Sequence, residues 1–212
     1  MSRNSHNVNR NSHRNKQPSR PANSKAGKLG EVRIIGGDWR GRKLPVLSAI
    51  GLRPTSDRVR ETVFNWLQFE IPGANCLDVF SGSGALSFEA LSRGAKHATL
   101  LELDSANAKQ LKQNLQTLKV TNASVQQTDS LQWLSQPADE VYDVIFLDPP
   151  FNKGLMQEAV DKLFTSGYVK GNQAWLYLEQ EKQLDWPTLP EGWVCHREKT
   201  TSQVRFGLFK KR

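Results

Sequence analysis

Leu77-Asp78-Val79-Phe80-Ser81-Gly82-Ser83-Gly84 is the stretch on which the reading of the fold turns. A short apolar strand, Cys76–Phe80, runs into a turn of small residues, and Ala85–Ser92 continues as a helix. In open α/β sheets ligands bind beyond the carboxyl ends of such strands, where glycine lets the backbone approach them. A Gly-x-Gly pair is a weak signal by itself. The third position of the dinucleotide fingerprint is Ser87, not glycine, which counts against NAD. Asp78 at the start of the loop would repel a pyrophosphate. It suits instead a cofactor with cations and no phosphate, and S-adenosylmethionine, with its ammonium and sulfonium, meets that description.

Downstream, strand and helix patterns alternate. Strands are expected at Ala98–Leu103, Ala123–Gln127, Val141–Leu147 and Ala174–Leu178, with helices at about Ala106–Leu118, Leu131–Leu134 and Leu155–Phe164. Such repeats imply a parallel sheet covered by helices on both faces. Trp193–Glu198 and Val204–Phe209 have no helix between them and read as a closing antiparallel hairpin. The expectation is a Rossmann-like methyltransferase fold: a mostly parallel seven-stranded sheet, a C-terminal antiparallel hairpin and a small basic N-terminal β extension.

Further cofactor contacts are expected along the strand ends. Phe80, Ser81, Gly82 and Gly84 belong to the loop itself. Glu102, 20 residues after Gly82, ends the second strand, where a carboxylate can accept both ribose hydroxyls. Asp104 reads as a helix cap. Asp129 can accept from an adenine amine or merely cap a helix, and Ser130 places a hydroxyl beside it.

The fourth strand delivers Asp148-Pro149-Pro150-Phe151 to its carboxyl edge. Consecutive prolines hold the chain extended. An exocyclic base amine is a poor nucleophile because its lone pair is delocalised into the ring. Acceptors at Asp148 Oδ and the Pro149 carbonyl would hold its hydrogens and steer the lone pair, while Phe151 stacks on the base. A rigid surface turn is the bland alternative. It accounts for neither the acid nor the aromatic beside the prolines.

The net charge of +8 is unevenly placed. Residues 1–60 carry 14 Lys or Arg against three acids, Glu31, Asp38 and Asp57, whereas residues 61–212 carry 15 against 18. A polyanion fits such a segment, since neutralising phosphates releases counterions; a solubilising tail is the alternative. Residues 1–29 have almost no large apolar side chains and are expected to be a disordered basic tail. Glu31–Ile35 reads as a strand, Gly36-Gly37-Asp38 as a turn and Arg40–Leu44 as the returning strand, within an extension over 30–55 ahead of a domain at 56–212. Thr55 or Ser56 is placed to cap a helix with Val59, Val63, Phe64, Trp66 and Leu67 on its apolar face. Arg33, Arg40, Arg42 and Lys43 are candidates for gripping a nucleic-acid backbone, and Arg53, Arg58 and Arg60 either do the same or pair with neighbouring acids.

Cys76 and Cys195 lack metal or disulfide spacing and read as buried thiols of a reducing cytoplasm, and the four scattered histidines form no ligand pair. No apolar run reaches the ~20 residues that span a bilayer. A cytoplasmic, metal-free monomer is expected.

Arg33-Ile34-Ile35-Gly36-Gly37-Asp38-Trp39-Arg40-Gly41-Arg42-Lys43-Leu44, with Leu52–Glu61, is far more specific than the glycine loop or the proline corner. Together these segments resemble the RsmD family of bacterial 16S ribosomal RNA guanine-N2 methyltransferases, from about Gly30 to the C-terminus. The resemblance implies methylation of a guanine N2 amine in 16S rRNA on an assembling 30S particle. It also implies cofactor contacts at Asp78, Gly82, Gly84 and Glu102 and the target amine at Asp148 through Phe151. Two rivals stay open: an amino-methyltransferase acting on DNA adenine or protein glutamine, and an RNA-binding assembly factor without turnover.

Overall fold

The computed structural model describes residues 1, 29–47 and 56–212. Most of the segment 1–29, expected to be a disordered tail, and Arg53, a candidate for gripping RNA, fall outside the described residues. β1 (Leu29–Arg33) and β2 (Lys43–Leu47) pair antiparallel as a separate two-stranded sheet. The returning strand starts at Lys43 rather than Arg40 because residues 34–42 close a compact turn. Ile34 N–H donates to the Arg42 carbonyl, and Gly41 N–H to that of Ile34, each at 2.8 Å.

Three helices lie on one face of the main sheet: α1 (Asp57–Trp66), α2 (Ala85–Ser92) and α3 (Ser105–Leu118). Ser56 caps α1 by accepting from Val59 N–H, with Asp57 in the first turn facing the helix dipole. Asp104 caps α3, as its position suggested, accepting from Asn107 N–H at 2.8 Å. Short α4 (Ser130–Leu134) and α5 (Leu155–Thr165) cover the other face.

The main sheet comprises β3 (Asn75–Asp78), β4 (His97–Glu102), β5 (Ala123–Gln127), β6 (Val144–Leu147), β7 (Trp175–Glu181), β8 (Trp193–Thr200) and β9 (Val204–Lys211). Its order is β5-β4-β3-β6-β7-β9-β8; the first five strands are parallel, and β9 runs antiparallel between β7 and β8. This is the expected Rossmann-like methyltransferase sheet with its closing hairpin. Neighbouring strand residues serve opposite faces. Leu100 and Phe146 pack with α1–α3, whereas Leu101, Ile145 and Leu147 pack with α4 and α5. Both faces being covered, β6 is apolar throughout and the middles of β3 and β4 are largely so. Strand order reverses between β3 and β6, which opens a crevice at their carboxyl ends.

All eight residues of α2 are buried, including Ser87, Glu89 and Ser92. The N-terminal hairpin and its turn cover the side of α2 that would otherwise meet water. Glu89 accepts from Ile35 N–H and Gly36 N–H, each at 2.8 Å. Ser92 Oγ accepts from Trp39 N–H and donates to the Gly36 carbonyl. Gly37 (φ +74°) comes so close that a Cβ there would lie 1.8 Å from the Ser92 carbonyl oxygen. The hairpin is thus seated on the main body.

One expectation is corrected, and for Arg60 the ion-pair alternative is the one found. Cys76 is buried, but Cys195 is exposed because β8 is the edge strand and most of its side chains face solvent. Arg60, a candidate for gripping RNA, has 1% of its side chain exposed and is tied to Asp57 at 2.6 Å and Glu89 at 3.8 Å. It lies one residue after Val59, and the inward face of α1 takes both.

Candidate active site

A cavity of about 1220 Å³ opens at the crevice beyond β3 and β6. Single small-molecule sites span roughly 300–1000 Å³, so this volume suits two ligands side by side. One flank is lined by Asp78, Phe80, Ser81, Gly82, Glu102, Asp129 and Ser130, the other by Asp148 through Lys153, Glu179 and Thr201–Val204. The cofactor residues expected from the sequence therefore share one space with the proline corner. Gly84 is the exception.

The glycine loop is built to hold carboxylates, not to cradle phosphate. Three of its amides are consumed internally: Ser81 N–H donates to the Leu101 carbonyl, Gly84 N–H to that of Ser81, and Gly82 N–H to Glu102 Oε2 at 2.8 Å. Glu102 Oε1 accepts from Asp104 N–H at 2.8 Å, so the side chain is clamped at both oxygens. Gly84 serves packing. It has φ +74°, and a Cβ would meet Phe88 and Leu111 at 2.6 Å as α2 begins. Asp78 is 2% exposed and accepts from Ser87 Oγ at 2.7 Å. The serine in the third fingerprint position thus orients the acid.

Burial dominates the electrostatics. It pushes the Asp78 carboxyl up to about 7 despite the Ser87 hydrogen bond, with Glu102 adding to the rise. Glu102 is raised by burial too, opposed by its two backbone donors. Two desolvated acids at one loop favour a ligand that brings donors or positive charge.

Asp129 and Ser130 both bond to the scaffold. Asp129 caps α4, accepting from Gln132 N–H at 2.9 Å while remaining on the cavity wall. Ser130 Oγ is buried and donates to the Val79 carbonyl, so its hydrogen is spent on the scaffold.

At the corner Asp148 is half-buried, Pro149 buried, Pro150 exposed and Phe151 39% exposed. Asn152 has φ 60°, and its N–H donates to Glu181 Oε1 at 2.6 Å. That bond ties the corner to the end of β7. Glu179 was not anticipated from the sequence. It falls just past the strand expected at Ala174–Leu178, and only the longer β7 and its register show what it faces.

The basic candidates divide. Arg33, Arg40, Arg42, Lys43 and Arg58 are exposed, with Lys43 paired to Glu31 at 2.8 Å. None of them lines the cavity. The turn bearing Arg40 rests on Ser92 at the far end of α2, roughly 12 Å of helix from the glycine loop. Among the described residues no helix is long and apolar enough to cross a membrane, and no group of His, Cys, Asp and Glu could hold a metal ion.

Residues 32–210 match the family model described as conserved hypothetical protein 95. A ribosomal RNA small subunit methyltransferase D from Haemophilus influenzae is 53% identical over 184 residues, 85% of this chain and 94% of the relative. The protein of that name from Escherichia coli K12 is 49% identical over 182 residues, 86% of this chain and 91% of its own length. A solved structure of a putative methyltransferase from Escherichia coli superposes with a TM-score of 0.81 at 46% identity, covering 86% of this chain and 99% of that one.

Proposed function

The chain belongs to the RsmD methyltransferase family, and from that premise we propose that it methylates the exocyclic N2 amine of a guanine in 16S ribosomal RNA, using S-adenosylmethionine. The observation that carries this reading is the shared cavity. The donor-seeking acids Asp78 and Glu102 and the corner Asp148–Phe151 line one continuous space.

The residues present fit the cofactor. Buried carboxylates at Asp78 and Glu102 match an ammonium and ribose hydroxyls, and with the amides of Ser81, Gly82 and Gly84 consumed internally the loop leaves little for a phosphate. When bound, the cofactor supplies an electrophilic methyl group on a sulfonium. Asp148 Oδ and the Pro149 carbonyl accept from the two N2 hydrogens and so turn the nitrogen lone pair out of conjugation. Phe151 fixes the plane of the ring by stacking. As the N–C bond forms, the bond from methyl to sulfur would break and leave a neutral thioether; the nitrogen becomes acidic, and Asp148 is positioned to take the leaving proton late. Catalysis is by orientation and fixed charge.

A guanine must leave its helix to reach such a pocket, so the target base is unpaired or flipped. The exposed Arg33, Arg40, Arg42, Lys43 and Arg58 hold the flanking backbone, and residues 2–28 add seven Lys or Arg and no acid. The 30S particle as substrate, action as a monomer and a cytoplasmic setting belong to the same reading.

Radiolabelled cofactor is to be incubated with naked 16S RNA, 30S particles, DNA and protein, and the labelled nucleotide mapped. Label on guanine N2 of small-subunit RNA is expected. Label in DNA or protein would sink the proposal, and label nowhere with cofactor binding intact would favour an assembly factor. Deleting residues 2–28 should weaken RNA binding and flatten its salt dependence.

A further inference from the structure

We propose that Glu179 reads the Watson–Crick edge of the target base, accepting from guanine N1–H beside the amine held by Asp148, and so makes the site specific for guanine. The inference rests on the reading above and deepens it.

Strand register places the residue. Leu147, the last residue of β6, pairs with Leu178 of β7, so Asp148, the first residue beyond β6, lies beside Glu179 in continuation of that register. Adjacent strands lie about 4.8 Å apart, and paired residues of parallel strands point to the same face. Two residues back on that face, Phe146 and Tyr177 meet edge-on with ring centroids 6.2 Å apart. Glu179 is 5% exposed, and what it does expose lines the cavity.

The carboxylate is held from behind. The fully buried Tyr177 donates its hydroxyl hydrogen to Glu179 Oε2, the one hydrogen bond this side chain accepts among the described residues. A carboxylate so withdrawn from water is costly unless its remaining acceptor capacity is met. Burial lifts it to about 7, with the tyrosine hydrogen bond working the other way. A purely structural acid would be served as well by facing the protein interior as by facing the cavity.

The chemistry of the bases does the rest. Guanine presents N1–H and the N2 amine side by side, a row of donors that two neighbouring carboxylates complement. Adenine offers one amine beside N1, which is an acceptor and is repelled by a second carboxylate. Sites that hydrogen-bond a donor reject analogues lacking it far more strongly than apolar pockets reject a missing methyl.

The test uses the full chain and RNA carrying the mapped target nucleotide either as guanosine or as 2-aminopurine, which keeps the N2 amine but has an acceptor at N1. The wild type should prefer guanosine by at least ~100-fold in kcat/KM. Glu179→Gln, whose amide can accept from N1–H or donate to N1, should shrink that preference at least tenfold. Tyr177→Phe, which keeps the ring and frees the carboxylate, should shrink it by a smaller factor, and it decides the matter if the first variant does not fold. An unchanged preference in a folded variant overturns the role of Glu179 while leaving guanine methylation standing. A wild type that puts no methyl on guanine N2 overturns both.

Discussion

Glu89 has no exposed surface and lies where the N-terminal hairpin meets α2. Its carboxylate accepts from Ile35 N–H, Gly36 N–H and Arg93 Nε at 2.8, 2.8 and 2.7 Å, and Arg60 stands 3.8 Å away. Glu89→Gln keeps the volume but removes the charge and turns an NH2 group toward donors. Breaking a buried ion pair on one side costs about 3–5 kcal/mol. Asp57 stays with Arg60 at 2.6 Å and, although its side chain is 66% exposed, keeps that guanidinium partnered in the variant. The lower end, about 3 kcal/mol, is therefore expected, which for a chain of this size is a fall in Tm of roughly 6–12 °C. Thermal melting and urea titration give the loss, and amide hydrogen exchange at Ile35 and Gly36 locates it. Exchange there should quicken more than in β3–β7. A variant with unaltered Tm and unaltered protection at those two amides would refute the role given to Glu89.

Asp148→Ala should lower methyl transfer by at least 100-fold, in the range seen when a preorganised charge-stabilising group is lost, with cofactor affinity by calorimetry within about twofold of wild type; normal turnover would discard the orienting role of the corner. Phe151→Ala should reduce kcat/KM by about 5- to 150-fold, the worth of one base–aromatic stack, and leave Tm nearly unchanged because the ring is 39% exposed. Asp78, lifted to about 7 by burial, keeps its proton in the folded chain where the unfolded chain has lost it. The unliganded protein should therefore lose stability as pH rises from about 4 to 7, giving a lower Tm at pH 7.5 than at pH 5 if this acid dominates. A cationic cofactor needs the ionised form, so binding should release a proton and tighten as pH rises toward 7, then level off. Titrations in buffers of different ionisation enthalpy measure that proton, and uptake instead of release would contradict the placement of Asp78.

Much of the molecule was legible because it depends on near neighbours in sequence. Short, mostly apolar runs between turn signals marked most of the parallel strands, and Asp104 and the pair Thr55 and Ser56 stood out as cap candidates just ahead of helical periodicity. The loop 77–84 and the corner 148–151 were visible because turn chemistry and proline act on the residues beside them. The bounds of β7 and β9 extended past the expected ends, since pairing across the sheet, not local composition, sets where they stop.

The sequence by itself determined the alternating fold, the loop and corner that meet at one sheet edge, and the uneven charge. Only the tertiary structure decided which charged residues face water. Arg60 looked like its exposed neighbour Arg58, yet Glu89, 29 positions away, draws it into the core. Glu89 in turn is claimed by Ile35 and Gly36, more than 50 residues earlier. Glu179 joined the site through its register with β6, and Ser130 was spent on the Val79 carbonyl, 51 residues back. A side chain's helical or strand period says on which face it lies. What that face meets is set by contacts between distant segments, and there the desolvation of charge must be met by partners that sequence spacing does not display.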